Sequence, residues 1–163
     1  LPAIRQAVQA LKEMDMHRDV QLIVSGGIRS GADVAKALAL GADAVSIGVG
    51  AMIALGCNKP VHEADYRALG TAPGFCHHCH TGACPVGIAT QTPELEARLD
   101  PERGGRLVRN YLSALTLELQ TIARANGKSH IRNLESEDLV ALTVEAAAMA
   151  GVPLAGTDWI PGK

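Results

Sequence analysis

The stretch VQLIVSGGIRSGADVAKALALGADAVSIGVG, residues 20–50, contains the pattern that decides the fold. Residues Val20 to Val24 form a short, β-branched apolar run that is ended by two glycines. This pattern predicts a buried strand. Ser30 then stands at an N-cap position with Asp33 three residues further on, the pattern of a capping box. These residues predict a helix over GADVAKALAL that Gly41 closes at its C-terminal end.

The segments on either side of this helix extend the same alternation. The run ADAVSIGVG, residues 42–50, predicts a second buried strand with glycines at its end, and AMIAL begins another short helix. Before the first strand, Ile4, Val8 and Leu11 recur at helical spacing, so a helix is predicted from Pro2 to Met14. The order helix–strand–helix–strand–helix is typical of parallel βα units.

The second half of the chain has a different character. Residues 57–92 contain scattered Gly, Pro and polar residues and are predicted to form an ordered loop. Residues 104–126 carry a single apolar stripe, which predicts a long amphipathic helix that Asn126-Gly127 ends. Ser136 is predicted to cap a further helix that runs to about Ala150, followed by an extended tail.

Composition excludes several classes of function. The chain has 163 residues, a formal net charge of −2 and 2% aromatic residues, which gives no reason to expect a nucleic-acid or membrane partner. Four cysteines are too few for a secreted disulfide scaffold, and their clustering indicates metal ligation in a reducing, cytoplasmic compartment. Because the chain begins with Leu1 rather than Met, we expect it to be a piece of a longer protein.

The glycine-ended strands suggest a phosphate site. In SGGIRSG and IGVGA, glycines let the backbone approach a ligand closely, and the helices that follow are expected to aim unpaired N–H groups at it. In (β/α)8 barrels, phosphates bind between the loops after the seventh and eighth strands. Arg29 would add a charged hydrogen bond. The alternative is that these glycines only turn strands into helices.

The run FCHHCHTGACPVG, residues 75–87, holds three cysteines and three histidines, and Cys57 lies upstream. Short Cys/His runs bind zinc, so Cys76 and Cys79 with His77, His78 or His80 form one candidate site. Free thiols in a loop without function are a second possibility, and a disulfide is the least expected. The sequence shows no nucleophile–base pair, and no catalytic residue is assigned.

The quoted stretch from Ser25 to Gly48 resembles the last two βα units of FMN-dependent barrel oxidoreductases. Together with ALGC and CHTGACPVGIATQ, it resembles the FMN-binding domain of glutamate synthase and its relatives, from Leu1 to Gln91. The resemblance implies an α/β fold that is the C-terminal part of a (β/α)8 TIM barrel, with a cysteine-rich loop and trailing helices. The implied segments are the last βα units (1–56), the cysteine-rich loop (57–92) and the C-terminal helices and tail (93–163).

The resemblance also implies two cofactor sites. The FMN phosphate would be held by Gly26, Gly27, Arg29, Gly48 and Val49, with Ser25 near the cofactor. Val49 stands where the family commonly has threonine, so a hydroxyl donor is lost and the backbone N–H remains.

A three-iron (3Fe-4S) cluster would be held by Cys57, Cys79 and Cys84. The four-residue spacing before CPVG matches the family, whereas the connection from Cys57 to Cys79 is much longer than the family's. Loop closure costs only slightly more entropy as a loop lengthens, so Cys57 can still return to the cluster. Cys76 is expected to be spare; the alternatives are a fourth ligand of a four-iron cluster or a replacement for Cys57.

By the same resemblance, the expected function is reductive amination of 2-oxoglutarate to glutamate by an oxidoreductase that acts on CH–NH2 donors. Ammonia or glutamine would supply nitrogen, and an electron-donating subunit or ferredoxin would supply electrons. This stretch alone is expected to be inactive, since the glutamine-hydrolysing domain and the first barrel strands are not in it. The alternatives are another FMN enzyme of this type, such as an amine-linked glutamate synthase, and a zinc-stabilised binding module without a redox role.

Overall fold

The computed structural model describes residues 2–17 and 19–162. Its helices are α1 (Pro2–Glu13), α2 (Gly31–Ala39), α3 (Val49–Leu55), α4 (Glu63–Ala68), α5 (Pro93–Glu96), α6 (Pro101–Ala125) and α7 (Val144–Ala150). The two strands are β1 (Ile23–Ser25) and β2 (Ala44–Ser46). Short 3₁₀ helices lie at Pro60–His62, His78–His80, Ile131–Asn133 and Ser136–Asp138.

The strands form a parallel pair with α2 as the crossover, which confirms the predicted βα order and the α/β class. The register pairs Ile23 with Ala44, Val24 with Val45, and Ser25 with Ser46. Because Ser25 and Ser46 are both last in their strands, the glycine-containing segments that follow leave from the same edge of the sheet.

The prediction that both strands are buried was wrong. Each strand has only three residues with its outer positions exposed, and Ile23 keeps 65% of its surface in contact with solvent. A parallel strand is buried when further strands flank it and helices cover both faces. In the described part of the chain the sheet has two strands, so its outer edges and much of its surface are open.

Helix α2 is capped as the sequence predicts. The Ser30 side chain accepts a hydrogen bond from the Asp33 backbone N–H at 3.3 Å, and the Asp33 carboxylate accepts one from the Ser30 N–H at 3.2 Å. This reciprocal pair satisfies two of the N–H groups that a helix start otherwise leaves unpaired. Val34, Ala35 and Ala37 form the buried face of the helix.

Gly31, the first residue of α2, allows α6 to approach closely. A Cβ at Gly31 would lie 2.5 Å from the Leu115 carbonyl oxygen and 2.6 Å from the Leu119 nitrogen. At the same point, the Gly31 N–H donates to the Glu118 carboxylate at 2.7 Å. The absent side chain and this long-range hydrogen bond together fix the C-terminal half of α6 against the start of α2.

The helix predicted from Ser136 to about Ala150 is two elements instead of one. Residues Ser136–Asp138 form a 3₁₀ turn, and Leu139 then adopts an extended conformation. Ala141 pairs with the tail, where its N–H donates to the Pro153 carbonyl at 2.8 Å. The Thr143 side chain begins α7 anew by accepting from the Ala146 N–H at 3.2 Å. The β-branched residues between Asp138 and α7 disfavour a continuous helix, and Thr143 provides a second helix start. Together they explain why the predicted helix is interrupted.

The contacts divide the chain into two compact units. The first unit consists of the described residues up to Gly48 and those from Ala114 onward, and the second unit is Val49–Ser113. Residues 57–92, predicted as a loop, contain α4 and two 3₁₀ turns. No helix in residues 2–17 and 19–162 combines the length and apolar character needed to cross a bilayer.

Replacing Gly31 with alanine should destabilise the first unit. The new methyl group would meet backbone atoms of α6, which cannot move as a flexible side chain can, and such overpacking costs about 1–3 kcal/mol. Gly105→Ala in α6 is the control, because no described atom lies within 4 Å of its Cβ position and alanine favours a helix by about 1 kcal/mol. Urea unfolding should show a loss of stability in the first variant and no loss in the second. Equal stability of the two variants would contradict the close approach.

Candidate cofactor sites

The loop after β1 leaves its backbone open to a ligand. Gly26 and Gly27 have φ values of +100° and +73°, which side chains disfavour, and both residues are exposed. No described atom lies within 4 Å of the Cβ position of either glycine. Ser25, exposed at the end of β1, leads into this open space. Consecutive backbone N–H groups in such turns form concavities that suit anions.

At the start of α2, several of the N–H groups expected from the sequence to be unpaired already have partners. The N–H of Arg29 donates to the Asp33 carboxylate at 3.0 Å, and that of Gly31 donates to Glu118. Two carboxylates therefore already occupy the positive end of this helix dipole. The two carboxylates disfavour a further anion at the N–H groups of Arg29 and Gly31.

The Asp33 carboxyl is held in its charged form. Burial raises its pKa, but the hydrogen bonds from the Arg29 backbone and the Lys36 and Ser30 side chains outweigh this, and the pKa lies below its ordinary value of 3.8. The charge and the hydrogen bonds of Asp33 thus support the loop that carries Arg29.

The segment after β2 is also open. Gly48 is exposed and has no described atom within 4 Å of its Cβ position. Val49, the first residue of the second unit, begins α3 with 73% of its surface exposed.

The four cysteines differ in burial. Cys57 and Cys76 are half-buried, Cys79 is exposed in the 3₁₀ turn, and Cys84 is buried. Cys57 lies two residues after the end of α3, and its N–H donates to the Met52 carbonyl at 2.9 Å, which fixes its backbone at the helix end.

Asn58 connects the Cys57 segment to the cysteine-rich run. With a φ of +60°, it turns its side chain so that Oδ1 accepts from the Gly74 N–H at 3.0 Å and the Cys76 N–H at 3.4 Å. Its Nδ2 donates to the Cys57 sulfur at 3.4 Å. One amide side chain therefore links the residue after Cys57 to the start of the cysteine-rich run at residues 74–76.

The thiols lie close enough to affect one another electrostatically. Burial raises the pKa of Cys57, and the charges of Cys79, Cys84 and Cys76 raise it further. Within residues 2–17 and 19–162, however, no three His, Cys, Asp or Glu side chains are grouped to hold a single metal ion. This holds for Cys57, Cys79 and Cys84 as well as for the Cys/His set of the zinc alternative, so the arrangement favours neither of the two.

Arg98 fixes the segment that contains Cys84. Its Nη1 donates to the Pro85 carbonyl at 2.7 Å and to the Asp65 carboxylate at 2.9 Å, which ties the CPVG turn to α4. No sequence motif marks Arg98, and the analysis of the sequence missed it.

The three histidines of the run form a stack at the surface. The rings of His77 and His78 are 4.7 Å apart, and those of His78 and His80 are 6.3 Å apart. Cys79, between them in the chain, lines an open cleft of about 700 Å³ together with Gly82 and Thr90.

Tyr66 is a second residue at this site that no sequence motif marks. It is 1% exposed and forms a small core with Cys84 and Val86, against which Cys76 packs. Its hydroxyl has no hydrogen-bond partner among the residues that the structure describes. Burial raises its pKa to about 12, with further contributions from Cys76, Cys57 and Cys84.

The described residues thus form a parallel βα unit with glycine-ended strands, followed by a cysteine-rich segment. The family model described as the conserved region in glutamate synthase matches residues 1–129. The chain belongs to the glutamate synthase family.

Individual relatives cover most or all of the chain. It is 64% identical over 163 residues to a glutamate synthase large subunit-like protein of Rhizobium meliloti, covering all of this chain and 37% of that protein. It is 46% identical over 132 residues to an archaeal glutamate synthase (NADPH) of Methanocaldococcus jannaschii, covering 81% of the chain and 23% of the relative. An archaeal-type glutamate synthase (NADPH) of Thermotoga maritima is 37% identical over 161 residues, covering 96% of the chain and 29% of the relative. The chain thus spans about a quarter to a third of these proteins.

Asp33→Asn should lower stability by about 0.3–1 kcal/mol at neutral pH, because it removes a negative charge from the first turn of α2. Since the native pKa is below 3.8, the contribution is present above that pH and is lost as the pH falls through the native pKa. Urea unfolding of both proteins should therefore show a difference at pH 7 that shrinks in strong acid. Asp158→Asn in the exposed tail is the control. A difference that grows toward acid pH would refute this role of Asp33.

Proposed function

We propose that this chain is the FMN- and cluster-binding part of a glutamate synthase-type oxidoreductase, corresponding to the C-terminal part of a (β/α)8 barrel with a cysteine-rich segment. The observation that carries the proposal is the open, left-handed Gly26-Gly27 loop at the carboxyl edge of a parallel strand pair. Ligands of open α/β sheets bind outside the carboxyl ends of the strands, and the membership of the chain in the glutamate synthase family supports the class of enzyme.

The FMN phosphate binds to the backbone of Gly26, Gly27 and Gly48, which follow the ends of β1 and β2. The guanidinium of Arg29 adds a charged hydrogen bond, and the Val49 N–H, at the start of α3, is a further donor. Asp33 and Glu118 disfavour the phosphate just before and at the first residue of α2, because their carboxylates already accept from the N–H groups of Arg29 and Gly31.

The thiolates of Cys57, Cys79 and Cys84 bind a three-iron cluster, and Cys76 is not a ligand. Thiolates are the usual ligands of iron–sulfur clusters, so these three cysteines would hold the cluster. Asn58 and Arg98 hold the segments that contain Cys57 and Cys84. When bound, FMN supplies hydride transfer and the cluster supplies single-electron transfer.

For the whole protein, we propose reductive amination of 2-oxoglutarate to glutamate in the cytoplasm. Ammonia or glutamine supplies the nitrogen, and an electron-donating subunit or ferredoxin supplies the electrons. The similarity of the chain to glutamate synthases of Methanocaldococcus jannaschii and Thermotoga maritima supports this reaction class. The residues that hold 2-oxoglutarate are not assigned in this chain.

Gly27→Val should reduce FMN in the purified protein that carries this chain to background. A valine side chain would fill the open space that the phosphate requires, in addition to straining a backbone at φ +73°. Gly127→Val is the matched control, since that glycine has a φ of +71° and equally open surroundings but lies at the end of α6. Flavin absorbance per protein should fall only in the first variant. Full flavin content in Gly27→Val would exclude the loop as the phosphate site.

Cys84→Ser should deplete iron from the same protein, whereas Cys76→Ser should leave it near normal. Serine keeps the size of the side chain but removes the thiolate that binds iron. The two residues pack in the same core, so each variant controls for the structural effect of the other. Iron analysis of the purified proteins distinguishes them. Equal depletion would make Cys76 a ligand, and normal iron in both would exclude Cys84.

A further inference from the structure

The buried hydroxyl of Tyr66 indicates that a residue other than the cysteine ligands contributes to the proposed cluster site. We propose that Tyr66 donates a hydrogen bond from its O–H to a sulfur of the iron–sulfur cluster and thereby raises the cluster's reduction potential. The inference rests on the proposed cluster at Cys57, Cys79 and Cys84.

The first observation is that this hydroxyl is left without a partner. Tyr66 is 1% exposed, and no hydrogen-bond acceptor for its hydroxyl is found among residues 2–17 and 19–162. Buried polar groups are nearly always hydrogen-bonded, because a buried donor without an acceptor has lost its hydration and gained nothing in return. A phenylalanine would fill the same space without this cost, so the hydroxyl indicates an acceptor that joins the protein from outside.

The second observation is what surrounds the hydroxyl. Cys84 and Val86 share the buried core with Tyr66, and Cys76 packs against it. Two sulfur-bearing side chains, one of them a proposed ligand of the cluster, therefore pack in the same small core as the tyrosine. Neutral thiols are weak acceptors, but a thiolate bound to iron, or an inorganic sulfide of a cluster, carries the negative charge that makes a good one.

The effect of this hydrogen bond on the reduction potential follows from the charge of the cluster. A cluster becomes more negative by one unit when it accepts an electron, and a hydrogen bond to one of its sulfurs stabilises the more negative state. Tyr66 keeps its proton throughout, so no bond breaks or forms in this step. The tyrosine is thus a positioning residue that makes the cluster easier to reduce.

The test is Tyr66→Phe in the complete, iron-loaded protein, with the midpoint potential of the cluster measured by a redox titration followed by electron paramagnetic resonance. The substitution removes one oxygen from the buried core and leaves the ring. The expected result is a more negative midpoint at unchanged iron content. Tyr111→Phe in α6, a residue of the same unit, is the control and should leave the midpoint unchanged.

A second variant addresses the chance that Tyr66→Phe does not fold. Site-specific 3-fluorotyrosine at position 66 keeps the shape and makes the phenol a stronger donor, so the midpoint should shift in the positive direction. An unchanged midpoint in either folded, iron-replete variant would overturn the hydrogen bond. Loss of iron from a folded Tyr66→Phe protein would also overturn it, in favour of a role in cluster assembly. An unsubstituted protein that binds no iron would instead refute the proposed cluster itself.

Discussion

The parallel pairing of β1 with β2 is the constraint on which the rest of the candidate FMN site depends. Because Ser25 and Ser46 are opposite each other and each ends its strand, the segments that follow begin at one edge. A parallel pair requires a crossover, and α2 supplies it. The glycines after each strand then leave backbone exposed at the edge where ligands of α/β folds bind.

The hydrogen bonds at the start of α2 affect where the phosphate is proposed to bind. A helix start usually attracts anions, yet here Asp33 and Glu118 already accept from the N–H groups of Arg29 and Gly31. This arrangement stabilises the crossover and the contact with α6, and it is the reason that the proposed phosphate site is centred on Gly26 and Gly27. In the second unit, Asn58 and Arg98 likewise hold the cysteine segments through hydrogen bonds.

Local patterns predicted the elements that local interactions determine. The helix at the start of the chain, the Ser30–Asp33 capping box and the end of α6 before Gly127 all depend on residues a few positions apart, and the structure confirms them. The burial of β1 and β2 was predicted wrongly because it depends on elements far away in the chain. The prediction of a single helix from Ser136 was wrong because Ala141 pairs with the tail.

The site residues that the sequence did not predict have one reason in common. Glu118 acts on Gly31 across 87 positions, and Arg98 and Asn58 act through hydrogen bonds to backbone groups that any residue provides. No spacing rule marks such contacts. Tyr66 lies in a segment that was predicted to be a loop, where a tyrosine carries no signal of burial. The cysteine spacing identified the ligand candidates, but not the side chains that hold them.

The central claim is that this chain holds FMN and an iron–sulfur cluster in one protein. It is tested most directly by measuring flavin, iron and zinc in a single purified sample of the complete protein, together with its visible spectrum. The account predicts one FMN and three irons per chain and a coloured protein. A colourless protein that contains zinc and no flavin would contradict it.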